Sequence, residues 1–186
     1  MLKKLSLRGI NIISNKKQIS MKRFLVLLLA VPFLFSSCKK EDKCTFTVSA
    51  AIAPSSEKTY LRNYLSGNSI TAMEDSSGFF YTITQAGTGS TPTVCSYVSA
   101  KYTGSFIPGG AIFDATPAGS PGSNFSLGEV IAGWQKGLPL IKNGGKITLY
   151  IPPSLAYGSR NYPSDTNIRI PANSYLKFEI ELVNVQ

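Results

Sequence analysis

The sharpest alternation of apolar and polar positions lies near the end of the chain. Leu176, Phe178, Ile180 and Leu182 alternate with Lys177, Glu179 and Glu181. A period of two places the first set on one face of a strand and the second on the other. Lys146 to Ile151 repeats the pattern, with Ile147, Leu149 and Ile151 together. From Ser96 to Tyr102, Val98, Ala100 and Tyr102 share a face opposite Tyr97, Ser99 and Lys101. Phe79 to Gln85 is rich in aromatic and β-branched residues, and Ala111 to Asp114 follows the turn residues Pro108-Gly109-Gly110. Strands with one apolar face predict an antiparallel sheet covering a core on one side.

Two stretches follow a helical period instead. Val130, Ile131, Trp134 and Leu138 recur at that spacing, and Pro139 is expected to stop the run. Earlier, Ser55-Ser56-Glu57 predicts the start of a helix carrying Tyr60, Leu61, Tyr64 and Leu65, ended by Gly67-Asn68. The pattern therefore predicts an α+β domain, a curled antiparallel sheet wrapped around one short helix. Its expected bounds are 76–186, after a helical lead-in over 55–75 and a tether over 38–54.

The start of the chain is of another kind. Met21-Lys22-Arg23 precedes the apolar run Phe24 to Phe35, and then Ser36-Ser37-Cys38. Basic residues, a short apolar run and small residues before a break describe a secretory signal peptide. The run is too short for a transmembrane helix, which needs about 20 apolar residues. With Cys directly after the small residues, 21–37 resembles a bacterial lipoprotein signal, although Phe35 stands where Leu, Val or Ile is usual. That resemblance implies acylation of Cys38 and a lipid-anchored location in the cell envelope, at the outer membrane on its periplasmic or surface face. The alternative is an ordinary signal peptide with an incidental Cys. Residues 1–20 read as an upstream extension. Lys39-Lys40-Glu41-Asp42 is similar to a surface-export tag, and equally reads as a solvated tether.

Charge follows the same division. The net charge is +9 over 186 residues, but seven of the 19 basic residues fall in the first 37, which hold no acid. The remainder is close to neutral, so the basic excess is a targeting signature rather than a nucleic-acid surface. No His is present, which excludes Ser-His-Asp and Cys-His catalysis and any His-ligated zinc site. Cys44 and Cys95 could form one disulfide in an oxidising compartment, or remain two thiols.

Nucleotide-binding motifs fail. Gly87-Thr88-Gly89 lacks its third Gly, where Pro92 stands, and Gly145-Lys146 has Leu140 and Ile147 where a phosphate loop needs Gly and Ser or Thr. Glu179 and Glu181 read as solvated. Asp114 differs, a single acid directly after Phe113 in an apolar, Gly/Pro-rich stretch.

Several short motifs then occur in a fixed order. They are Lys101-Tyr102-Thr103-Gly104, Phe113-Asp114, Leu127-Gly128-Glu129-Val130-Ile131-Ala132-Gly133-Trp134 and Gly144-Gly145-Lys146. Ile151-Pro152-Pro153, Leu155-Ala156-Tyr157-Gly158, Ile170-Pro171 and the strand Leu176 to Leu182 follow. In that order, from about Gly78 to Gln186, the chain resembles an FKBP-type peptidyl-prolyl isomerase of the bacterial periplasmic and macrophage-infectivity-potentiator branch.

The resemblance implies five or six strands around a helix, with an apolar pocket between them. Carried over by position, Tyr102, Phe113, Asp114 and Tyr157 would be catalytic, and Val130, Ile131, Trp134, Ile170 and Phe178 would bind substrate. Trp134 would be the floor for a proline ring, and the Ile131 N–H and Tyr157 hydroxyl would bind substrate carbonyls. Asp114 would either orient Tyr102 or meet the twisting amide. No cofactor is implied. The implied partners are proline-containing segments of exported proteins and macrolides, with the membrane reached through the anchor. Two segments depart from the family: Ala115 to Gly133 lacks a basic residue often present there, and the loop Ser159 to Arg169 is long and carries Tyr162. A rival reading keeps the same pocket as a non-catalytic binding module, a chaperone or surface adhesin.

Overall fold

The computed structural model describes residues 43–163 and 169–186. The signal-like segment, Cys38, the Lys39–Asp42 tag and the middle of the Ser159–Arg169 loop lie outside the described residues.

Helix α1 (Ser55–Gly67) precedes seven strands: β1 (Met73–Glu74), β2 (Phe80–Gln85), β3 (Tyr97–Ile107), β4 (Ile112–Ala115), β5 (Ser123–Ser126), β6 (Lys146–Ile151) and β7 (Tyr175–Val185). Helix α2 (Ala132–Gly137) lies between β5 and β6. The strands form one antiparallel sheet in the order β1-β2-β6-β7-β3-β4, and β5 pairs with the first part of β3 beside β4. The sheet thus has more strands than the five or six expected. The extra ones are the two-residue β1 and β5, whose sequence Ser123-Asn124-Phe125-Ser126 is too short and polar to show a period.

The alternating faces lie as their period dictates. Leu176, Phe178, Ile180 and Leu182 of β7 and Ile147, Leu149 and Ile151 of β6 are all buried in the main core. β7 runs antiparallel between β6 and β3, with Leu149 opposite Phe178 and Tyr102 opposite Ile180. On the other face Lys146 pairs with Glu181 at 3.4 Å and Lys177 with Glu179 at 3.3 Å. Such exposed pairs contribute at most about 1 kcal/mol each.

Helix α2 packs on the core face through its small residues. A Cβ on Gly133 would lie 2.6 Å from Ile151, and one on Gly137 2.7 Å from Leu149. Only bare backbone lets the helix approach β6 this closely. The helix is shorter than the periodicity predicts. Val130 is extended, with ψ 175, and Ile131 is the N-cap. The α-helix ends at Gly137, ahead of Pro139 as expected, and Pro139 itself sits inside a 3₁₀ turn, Leu138–Leu140, where its missing N–H costs no bond.

The opposite face is not wholly solvated. Leu61 and Leu65 of α1 are buried with Phe80, Ile107 and Tyr150 in a second cluster, joined by Tyr64 and Tyr175. The lead-in helix is therefore a layer of the domain, and the sheet has apolar cover on both faces. Burial raises the phenol pKa of Tyr150, helped by Glu179 and Tyr64, and that of Tyr175, helped by Glu57 and Tyr60.

The expected tether also ends earlier than Pro54. Cys44 is bonded to Cys95, the Ser49 N–H reaches Gln135 at 3.0 Å, and buried Ala53 donates to Ser77 O at 2.8 Å. From Cys44 onward the segment is a strap on the domain, held by bonds between main chain and distant residues that carry no local pattern.

Candidate active site

Four elements meet around Trp134. The side chain sits at the first turn of α2, 5% exposed, and three rings surround it. Tyr102 of β3 meets it edge-on at 5.2 Å and 83°, Phe178 of β7 at 5.2 Å and 87°, and Phe125 of β5 at 5.3 Å. Edge-to-face rings at these distances each add about 0.5–1.5 kcal/mol beyond burial, so the box is stiff. The indole Nε1–H is buried and has no acceptor among the described residues. Most buried polar groups in folded proteins have such a partner.

Gly104, two residues beyond Tyr102, shows why the Tyr-Thr-Gly run is needed. A Cβ there would lie 2.7 Å from the ring of Phe113 and 2.8 Å from that of Phe178. Its absence lets Phe113 and Phe178 meet edge-on at 5.6 Å behind the box.

The box opens into a cleft of about 570 Å³. Tyr102, Asp114, Val130, Ile131, Trp134, Tyr157 and Phe178, all expected from the sequence, line it. Two expected residues do not. Phe113 and Ile170 are each 1% exposed and stand behind the lining. Phe113 supports Phe178. Ile170 exchanges main-chain hydrogen bonds with Tyr162 at 2.8 and 2.9 Å, which fixes the base of the Tyr162 side chain. The structure adds Ser123, Asn124, Phe125, Glu129 and Tyr162 to the lining. Phe125 was hidden in a short polar strand, its only sequence signal being an aromatic residue amid Gly, Ser and Pro.

Polar side chains in the cleft are mostly uncharged hydroxyls and an amide. The Tyr102 hydroxyl donates to Asp114 Oδ2 at 2.6 Å, so the carboxylate is aimed at Tyr102. Among the described residues Glu129 is the other acid in the lining, and no Lys or Arg is part of it. Among the described residues no group of three or more His, Cys, Asp and Glu could hold a metal ion.

Tyr157 is placed by two elements distant in sequence. It follows the 3₁₀ turn Pro153–Leu155, whose Ser154 donates to Glu57 of α1 from its main-chain N–H at 3.1 Å and from its hydroxyl at 2.6 Å. Gly158, at φ +71, then donates to Pro153 O at 2.9 Å. The Tyr157 ring lies 4.5 Å from that of Tyr162, which is 51% exposed at the mouth.

Comparison with known proteins agrees with this geometry. Residues 89–183 match the family described as FKBP-type peptidyl-prolyl cis-trans isomerase. Over 111 residues the chain is 42% identical to FkpA of Escherichia coli K12, covering 60% of this chain and 39% of that protein. It is 43% identical over 115 residues to FkpA of Buchnera aphidicola subsp. Baizongia pistaciae, covering 62% and 43%. The chain thus spans about two fifths of the length of these relatives. Among solved structures, Escherichia coli FkpA superposes with a TM-score of 0.60 at 35% identity, over 71% of this chain and 60% of that one. A peptidyl-prolyl cis-trans isomerase from Pseudomonas syringae gives 0.58 at 31% identity, over 72% and 97%.

Proposed function

This chain belongs to the FKBP-type peptidyl-prolyl cis-trans isomerases, and on that premise we propose that it catalyses rotation about Xaa-Pro bonds in exported proteins from a lipid anchor in the cell envelope. The observation that carries the catalytic part is the open cleft floored by Trp134 and walled by Tyr102, Phe125 and Phe178.

Rotation of a peptide bond is opposed by about 18–20 kcal/mol, because the planar form has C–N double-bond character. The planar amide is also the more dipolar form, and water stabilises it. A proline ring laid on Trp134 would put the rotating Xaa-Pro bond among aromatic side chains that exclude water, which favours the twisted, less dipolar amide. Hydrogen bonds suited to the twisted geometry add to that preference. The Ile131 N–H and the Tyr157 hydroxyl are the donors in this reading. Asp114 acts by orienting Tyr102, as the 2.6 Å bond suggests. No bond is made or broken, so the chemistry needs neither a general base nor a metal. A macrolide that mimics a proline ring would compete for the same floor.

The anchor rests on the sequence Met21 to Cys38, a basic start, an apolar run and Ser36-Ser37 before Cys38.

Two measurements test these statements. The full chain should speed isomerisation of a short Xaa-Pro peptide above the buffer rate; binding with no acceleration would leave a peptide-binding module instead. Cys38→Ser should abolish palmitate labelling and move the protein from membrane to soluble fractions. Unchanged membrane association would refute the anchor.

A further inference from the structure

One side chain holds the corner that brings Val130 and Ile131 into the cleft. Gln135 is 9% exposed, and its amide makes three hydrogen bonds. Nε2 donates to the carbonyls of Gly128 at 3.1 Å and Val130 at 2.9 Å, while Oε1 accepts from the Ser49 N–H at 3.0 Å. The amide has only one workable orientation, since a flip would set oxygen against two carbonyls and a donor against a donor.

The Val130 bond is the consequential one. The carbonyl of Val130 and the N–H of Ile131 belong to a single rigid peptide plane. Pinning the oxygen therefore sets the direction of the N–H assigned above to a substrate carbonyl. The same corner is gripped from its other side. The ring of Phe46 lies against Gly128 so closely that a Cβ there would overlap it. Phe46 and Ser49 both belong to the strap that Cys44 fastens to Cys95.

We propose that Gln135 is a positioning residue for the substrate-binding corner Gly128–Ile131, and that the N-terminal strap acts on the cleft through it. This rests on the isomerase reading. It goes beyond that reading in making residues outside the cleft, on a segment expected to be mere tether, determine how well a peptide is held.

The test compares the full chain with Gln135→Met, Gln135→Glu and Ser49→Pro. Peptide affinity is read from the fluorescence of Trp134, the chain's single Trp, and KM and kcat from isomerisation. Gln135→Met keeps the volume and loses the bonds. It should raise KM roughly tenfold with a smaller change in kcat, a loss typical of misplacing a binding group. Gln135→Glu should be at least as weak at neutral pH, where a carboxylate faces two carbonyl oxygens. It should recover as the pH falls through the carboxyl range, because the protonated acid donates to one of them. A purely structural role would lower thermal stability in both variants without that pH-dependent recovery.

Ser49→Pro removes the donor at the strap end and touches no cleft residue. It should raise KM about threefold, with nothing added in the Ser49→Pro/Gln135→Met double variant. Should the Gln135 variants fail to fold, Ser49→Pro and Cys44→Ser carry the test, both with the same expected direction. Wild-type KM in folded Gln135→Met, or in both strap variants, overturns the proposal while leaving the isomerase reading intact. An unmutated chain that neither binds nor isomerises the peptide would sink both.

Discussion

Removing the Tyr102 hydroxyl tests what Asp114 does. That hydroxyl donates to Asp114 at 2.6 Å, and both groups are half-buried. A hydrogen bond to a charged group contributes about 1.5–3 kcal/mol, and partial exposure places this one near the lower limit. Tyr102→Phe leaves the ring edge-on to Trp134 and removes the hydrogen bond to Asp114 without opening a cavity. If Asp114 works through Tyr102, then Tyr102→Phe and Asp114→Leu remove the same interaction. Each should lower kcat/KM about tenfold, equivalent to about 1.4 kcal/mol. The double variant should be no slower than the worse single one. The assay is isomerisation of a Xaa-Pro peptide at low temperature, where the uncatalysed reaction takes minutes, with urea titrations to confirm that all three variants fold. If the double variant instead lost the product of the two effects, roughly a hundredfold, the sites would be independent. Asp114 would then act on the substrate itself, and the orienting role would be wrong.

Three further outcomes concern the scaffold. Leu61→Ala on α1 empties a fully buried position in the second apolar cluster, and should cost about 2–4 kcal/mol in urea unfolding; a change below about 1 kcal/mol would mean that α1 is not a layer of the domain. Gly104→Ala should destabilise by about 1–3 kcal/mol, because its methyl group meets Phe113 and Phe178, and a wild-type thermal midpoint would contradict the packing. Tyr150 and Tyr175 have phenol pKa values raised above 10.0, so the folded state holds these protons more tightly than the unfolded chain. Their contribution is complete below about pH 10 and is lost as the pH rises through the folded values. Thermal midpoints should fall above pH ~10 and fall less in Tyr150→Phe; identical profiles would remove Tyr150 from the account.

The sequence alone determined the strands whose two faces differ in polarity. β6 and β7 follow from alternation because every second residue meets the same core, and the signal is contained in a few consecutive positions. It also determined most of the cleft, since Tyr102, Asp114, Trp134 and Tyr157 lie in short runs whose order identifies the family. Tertiary structure decided whatever depends on partners far along the chain. α2 begins two residues after Val130 because that residue is extended where β5 and the 3₁₀ turn Leu127–Glu129 deliver the chain. Tyr150 looks like an outward strand residue until α1 covers it. Phe125 joins the aromatic box only because β5 pairs with β3. The tether becomes a strap through one disulfide and a hydrogen bond between Ser49 and Gln135, 86 positions apart. Periodicity reports which face a residue shows to its own element's surroundings; it carries no information about which distant segment will arrive to cover the other one.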